Sequence, residues 1–243
     1  MTKFPAPANS WQVRARQLAG AFLSFLFPPV CANCHKTGTL FCDECIAQVK
    51  WIEEPICGRC GRPYKKMNDI CSICKYNPLP LQQIRSAVLF ADPVQSMIHK
   101  MKYEGMFGLA TPLADLMVRR WEQWETAVDL VIPIPLHNDR QKKRGYNQSE
   151  LLAHHFSQKL DLSIDTKGLQ RIRDTKPQVG LNASERSHNV QSAFHSQGEH
   201  IIGKRILLID DVCTTGSTLS AAAEALLMHK AQSVSAYCLA RAA

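Results

Sequence analysis

The chain has 243 residues, 45% of them apolar, with 29 Lys and Arg against 21 Asp and Glu, and it carries ten cysteines. That length excludes a mini-protein held by staples alone and allows one mid-sized domain plus a small module. A formal net charge of +8 favours anionic partners such as phosphates or nucleic acid and says nothing about fold.

Residues 1–12 are polar and proline-containing, and Arg14 and Arg16 precede LAGAFLSFLF over 18–27. That run has the look of a secretory signal but is too short to cross a bilayer. No small-residue cleavage site follows it. The expected element is an amphipathic helix over 13–26, stopped by Pro28 and Pro29. No membrane span and a cytoplasmic location, with reduced thiols, are therefore expected.

Eight of the ten cysteines follow, as four C-x-x-C pairs between Cys31 and Cys74. Cys31, Cys34, Cys42 and Cys45 form one quartet; Cys57, Cys60, Cys71 and Cys74 form the second. Paired knuckles bring four thiolates into the tetrahedral array that zinc accepts, whereas disulfide scaffolds spread their cysteines. Sequential pairing, giving two structural Zn2+ sites, is the simplest arrangement; cross-braced pairing of alternate knuckles is the other pairing, and an iron–sulfur cluster or redox dithiols are the alternatives to zinc. Four thiolates with no open position make a structural site, and each loaded quartet carries about −2, which brings the holo protein to about +4. Metal removal is expected to unfold 30–77 and leave the rest of the chain folded.

NPLPL (77–81) reads as a linker, after which the pattern changes. Strands are expected at 85–91, 129–135, 169–173, 204–210 and 233–240, with a short element near VQSAF. Helices are expected at 94–103, 109–125, 147–160 and 217–230. HNDRQKKRGYNQS and residues 174–188 read as basic loops. Strand–helix alternation predicts an α/β fold with a parallel sheet. The division is a tail and short helix at 1–27, a double zinc ribbon at 28–77 and the α/β domain at 82–243.

The densest signal is ILLIDDVCTTGST over 206–218. A buried strand delivers Asp210 and Asp211 to the carboxyl edge of the sheet, where ligands sit in such folds. Thr214, Thr215, Gly216, Ser217 and Thr218 then lead into a helix whose first N–H groups, with the hydroxyls, can hold a phosphate monoester. The glycine permits close backbone approach. Ionised carboxylates only accept hydrogen bonds, so the acids suit vicinal hydroxyls rather than the phosphate. A ribose 5-phosphate has both features. The stretch resembles the phosphoribosyl-pyrophosphate (PRPP) motif of type I phosphoribosyltransferases. The resemblance implies that Asp210 and Asp211 are the catalytic acids and contact the ribose, that 214–218 wrap the 5-phosphate, and that Mg2+ accompanies the ligand.

The pyrophosphate needs cations nearby. Arg144, Gly145 and Asn147, within DRQKKRGYNQS, are the candidates, with Arg140, Lys142 and Lys143 alongside. PIPLHNDRQKKRGYNQSELLA, HKMKYEG (99–105) and RIRDTKPQ…ER…N…F (171–194) are similar to the ComF family of competence proteins, as is the cysteine module that precedes them. That resemblance implies PRPP binding and a part in natural transformation, with single-stranded DNA and DNA-uptake proteins as partners. A catalytic phosphoribosyltransferase acting on an unidentified base or amine, and an inactive zinc-ribbon interaction adapter, are the alternatives. Arg171, Arg173, Lys176 and Arg186 are candidates for a loop closing on the ligand, and Lys102 for a further contact.

Overall fold

The computed structural model describes residues 28–66, 69–124, 126–173 and 193–242. The expected helix at 13–26, and Lys176 and Arg186 in the basic stretch, lie outside the described residues. The chain divides into two compact units, residues 1–47 and 48–243.

In the first unit, Cys31, Cys34, Cys42 and Cys45 surround one point, with helix α1 (Asp43–Ile46) supplying the last three residues of the Cys42–Cys45 knuckle. The larger unit opens with the second quartet, which helix α2 (Ser72–Tyr76) completes. Its sheet consists of β1 (Ile84–Leu89), β2 (Leu130–Pro133), β5 (Arg205–Cys213) and β6 (Ser233–Arg241). The order is β1-β6-β5-β2 and every pairing is parallel, as the alternation predicts. β6 and the first part of β5 are buried almost throughout, as expected of central strands covered on both faces. A second, two-stranded antiparallel sheet pairs β3 (Leu169–Arg171) with β4 (Phe194–Ser196).

The helices are α3 (Val94–Tyr103), α4 (Ala110–Trp121), α5 (Asn138–Arg144), α6 (Gln148–Leu160) and α7 (Ser217–Met228). Val94, Met97, Ile98 and Met101 fall on one face of α3 and are all buried, the spacing that burial of an amphipathic helix demands. Trp121 of α4, Phe156 of α6 and Tyr237 of β6 pack ring against ring at 5.2–5.6 Å, and the Tyr237 hydroxyl donates to Met117 O at 2.8 Å. Trp121 therefore serves the core. At the start of the sheet, Asp129 accepts from Arg205 N, Nε and Nη2 at 2.6–3.0 Å, tying β2 to β5.

Two local readings change. The basic run expected as a loop is helical from Asn138 to Arg144, ending at Gly145 in the left-handed conformation (φ +83°). β5 continues to Cys213, three residues past the expected end, because Val212 and Cys213 stay paired with Ala240 and Arg241 of β6. The turn into α7 is thus only Thr214–Gly216.

The segment just after the unit boundary closes the outer edge of β1. Leu89 N donates to Lys50 O at 2.8 Å, Ile52 N donates to Ala87 O at 3.2 Å, and Trp51 faces Val88 in an antiparallel bridge. The Cys57–Cys60 knuckle then meets the start of the same strand: Ile84 N donates to Arg59 O at 2.8 Å and Arg85 Nη2 to Gly58 O at 3.0 Å.

Candidate functional site

β5 carries Asp210 and Asp211 to the carboxyl end of the sheet. The Asp210 carboxylate accepts from Ser149 Oγ of α6 at 2.8 Å and from the Asp211 N–H at 2.9 Å. Burial, then the neighbouring Asp211 charge, push the Asp210 carboxyl up to about 7, against the pull of Ser149, the Asp211 N–H and Lys102. Asp211 is 4% exposed and pairs through Oδ2 with Lys102 Nζ at 2.7 Å. A buried carboxylate needs such a partner, and here it comes from the last turn of α3. The two acids are adjacent in sequence but held by different helices.

Thr214 and Thr215 are exposed and Gly216 is buried at φ +88°. Gly216 begins α7; a Cβ there would lie 3.2 Å from Ile84 Cδ1. Thr215 Oγ1 sits 2.7 Å from Ser217 Oγ and accepts from Ser217 N at 3.3 Å. No acidic residue occupies the first turn of α7. The turn therefore presents hydroxyls and the positive end of a helix to an incoming anion.

Of the residues expected near the pyrophosphate, Arg144 borders a cavity of about 520 Å3 together with Lys102, Arg140, Lys143, Tyr103 and Tyr146. The Arg144 guanidinium lies 5.5 Å from the Tyr103 ring centre and donates to Gln148 Oε1. Lys102 joins this basic cavity to the acid pair. Gly145 and Asn147 have other work. Gly145 N donates to Gln141 O at 2.7 Å, ending α5. Asn147 is buried as the cap of α6, accepting from Ser149 N at 3.1 Å and donating to Ile134 O at 3.0 Å. It thereby places Ser149 under Asp210. Ser149 carries no motif of its own, and only the fold reveals it.

Each cysteine quartet gathers in sequence order, with its four sulfurs within 4.8 Å of one another. Measured separations are 3.7 Å (Cys31–Cys45), 3.5 Å (Cys34–Cys42) and 3.8 Å (Cys60–Cys71). Ligands about 2.3 Å from a tetrahedral zinc stand about 3.8 Å apart, so the geometry fits the metal. Burial pushes the Cys57 thiol up, but N–H groups of Cys71, Cys60 and Arg59 outweigh it and hold it at about 6. Cys71 N donates to Cys57 Sγ at 3.3 Å. The remaining cysteines, Cys213 and Cys238, are buried in β5 and β6.

Residues 22–75 match the double zinc ribbon domain and residues 147–243 the phosphoribosyl transferase domain. The chain is 30% identical to competence protein F of Haemophilus influenzae, over 86% of this chain and 94% of that protein. It is 30% identical to the DNA utilization protein YhgH of Escherichia coli, over 82% and 89% of the two chains. The chain belongs to the ComF family. Competence protein ComFC of Bacillus subtilis is a further ComF relative, 30% identical over 82% and 83%. Among solved structures, the glutamine PRPP amidotransferase of Bacillus subtilis aligns with a TM-score of 0.39 at 16% identity, over 54% of this chain and 26% of that one. The two quartets of this ComF chain are the zinc-ribbon cysteines, and its described helices include none long and apolar enough to cross a membrane.

Proposed function

We propose that this protein binds PRPP with Mg2+ at the end of β5 and acts in the handling of single-stranded DNA during natural transformation. The observation that carries the reading is the join of the two half-sites. Thr214–Ser217 offer a phosphate cradle, Asp210 and Asp211 offer acceptors for ribose hydroxyls, and Lys102 connects them to the cavity bordered by Arg140, Lys143 and Arg144. In this reading Asp210 and Asp211 hold the ribose, and with it the magnesium-bearing ligand. Arg144 faces the pyrophosphate, and Gly145 and Asn147 shape its loop.

Two features support a nucleic-acid role. Relatives carry the names competence protein and DNA utilization protein. Tyr103 and Phe107, 67% and 64% exposed, adjoin the basic cavity, and cations interleaved with exposed rings suit a single strand. DNA-uptake proteins are the partners that such a role implies. A catalytic phosphoribosyltransferase is the second reading. It is favoured by a cavity of about 590 Å3 where Asn138, Gln141, Gln170 and Gln197 supply carboxamides able to read a base edge.

Calorimetry with PRPP, with and without Mg2+, on the wild type and the Asp210→Asn and Asp211→Asn variants tests the first reading. Expected is magnesium-dependent binding that each variant weakens by about 10- to 100-fold, the worth of a charge-assisted hydrogen bond. Absence of heat in the wild type sinks it. Pyrophosphate release on offering a panel of bases would favour the second.

A further inference from the structure

The geometry points to a linkage between the second cysteine quartet and the phosphate loop: metal held by Cys57, Cys60, Cys71 and Cys74 stiffens residues 213–219, and ligand on that loop in turn retains the metal. Ile84 is the positioning residue that transmits it. The ligand half of this inference rests on the PRPP reading above; the stiffening half does not.

Ile84 touches both sites at once. Its main chain faces the knuckle: Ile84 N donates to Arg59 O, and a Cβ on Gly61 would stand 2.4 Å from Ile84 O. Its side chain faces the other way, with Cδ1 3.2 Å from the place a Cβ would take on Gly216. Ile84 is fully buried. Close-packed interiors transmit displacement from one neighbour to the next. The knuckle between Cys57 and Cys60 is therefore the backing on which the glycine of the phosphate loop rests, with one residue between.

A second hydrogen bond joins the knuckle to the strand that carries Ile84: Arg85 Nη2 donates to Gly58 O at 3.0 Å. On the loop side, Arg241 ends β6 beside Cys213, is 1% exposed, and donates through Nη1 to Cys213 Sγ at 3.0 Å. The residue immediately before Thr214 is thus tied to the sheet, and displacing the knuckle withdraws the backing of Ile84 from the glycine that follows.

Such a coupling is reciprocal by thermodynamic necessity. The first quartet belongs to the other compact unit and serves as the control. Amide hydrogen exchange of residues 213–219 would be followed in the full zinc-loaded chain and in Cys74→Ser, Ile84→Ala, Ile84→Val and Cys34→Ser. Expected is exchange faster by about tenfold in Cys74→Ser and Ile84→Ala, by a smaller factor in Ile84→Val, which loses the Cδ1 that meets the loop, and close to wild type in Cys34→Ser. Unchanged exchange in a folded Ile84→Ala chain, or an equal rise in Cys34→Ser, overturns the linkage. Should Cys74→Ser fail to fold, zinc release from the wild type into a chromophoric chelator decides. With Mg2+ and PRPP, one of the two zincs is expected to resist equilibrium competition by the chelator about tenfold better. Equal zinc affinities in a chain that calorimetry shows to be ligand-bound overturn the reciprocal half. Faster exchange in the variants, from a chain that gives no heat with PRPP, upholds the stiffening and removes the ligand reading alone.

Discussion

The two cysteine knuckles that open the quartets are built alike and placed differently. Cys31 N donates to Lys36 O, as Cys57 N does to Arg62 O, both at 2.8 Å. Val30 bridges Thr37, and Ile56 bridges Pro63, at the same offsets. The fourth residue after the first cysteine is left-handed in both, His35 at φ +64° and Gly61 at φ +67°. One knuckle accepts an exposed imidazole at that position. The other has Ile84 O 2.4 Å from where the first side-chain atom would go. Identical metal chemistry thus places different demands on sequence, and the difference comes from what each knuckle is packed against. This also revises the expectation that stripping the metal leaves the α/β domain intact, because the second quartet is hydrogen-bonded to the first strand of its sheet.

The largest effect is expected from Gly61→Ala. Left-handed strain plus a backbone clash should cost about 3 kcal/mol, a fall in melting temperature of about 10 °C that differential scanning calorimetry would read. A melt within a degree or two of wild type would erase the contrast between the knuckles. Next comes Gly216→Ala, where φ +88° and a neighbour at 3.2 Å should cost about 2 kcal/mol in chemical denaturation. Binding of PRPP should follow pH. Asp210 titrates at about 7 against an ordinary 3.8, so it is protonated below 7 and ionised above. Affinity for a hydroxyl-donating ligand should fall as pH drops through 7, by up to about tenfold per unit, and a flat profile from pH 6 to 8 would exclude Asp210 from contact. The same raised value makes the Asp210 contribution to stability fullest below about pH 4 and lost as pH rises through 7. The smallest effect belongs to His35→Gly, which relieves left-handed strain and should leave stability within about 1 kcal/mol of wild type, measured by the same melt.

Much of this was legible in the residues. The four buried positions of α3 repeat at helical spacing, and the apolar run of β2 marks a strand covered on both sides. The paired cysteines announced their grouping by spacing. α5 escaped because Asn138–Arg144 buries nothing and so has no apolar period to read. The end of β5 escaped because acidic residues look like a strand's exit, whereas pairing with β6 carries the strand on to Cys213. Ser149 under Asp210, and Ile84 between Gly61 and Gly216, join residues 61, 132 and 23 positions apart; no local pattern encodes such meetings. Lys102 was a candidate on its motif, but its partner Asp211 comes only from the fold.

The strip formed by Lys50, Trp51 and Ile52 along β1 bears on how the protein can be cut. A truncation that begins at the linker, the natural choice for anyone isolating the transferase-like portion, would bare the amide of Leu89 and the carbonyl of Ala87 on a border strand. Naked borders recruit strands from other molecules. Such a fragment should aggregate or pair with itself during expression, and any inactivity it displayed would report on that self-association rather than on the chemistry of its ligand site.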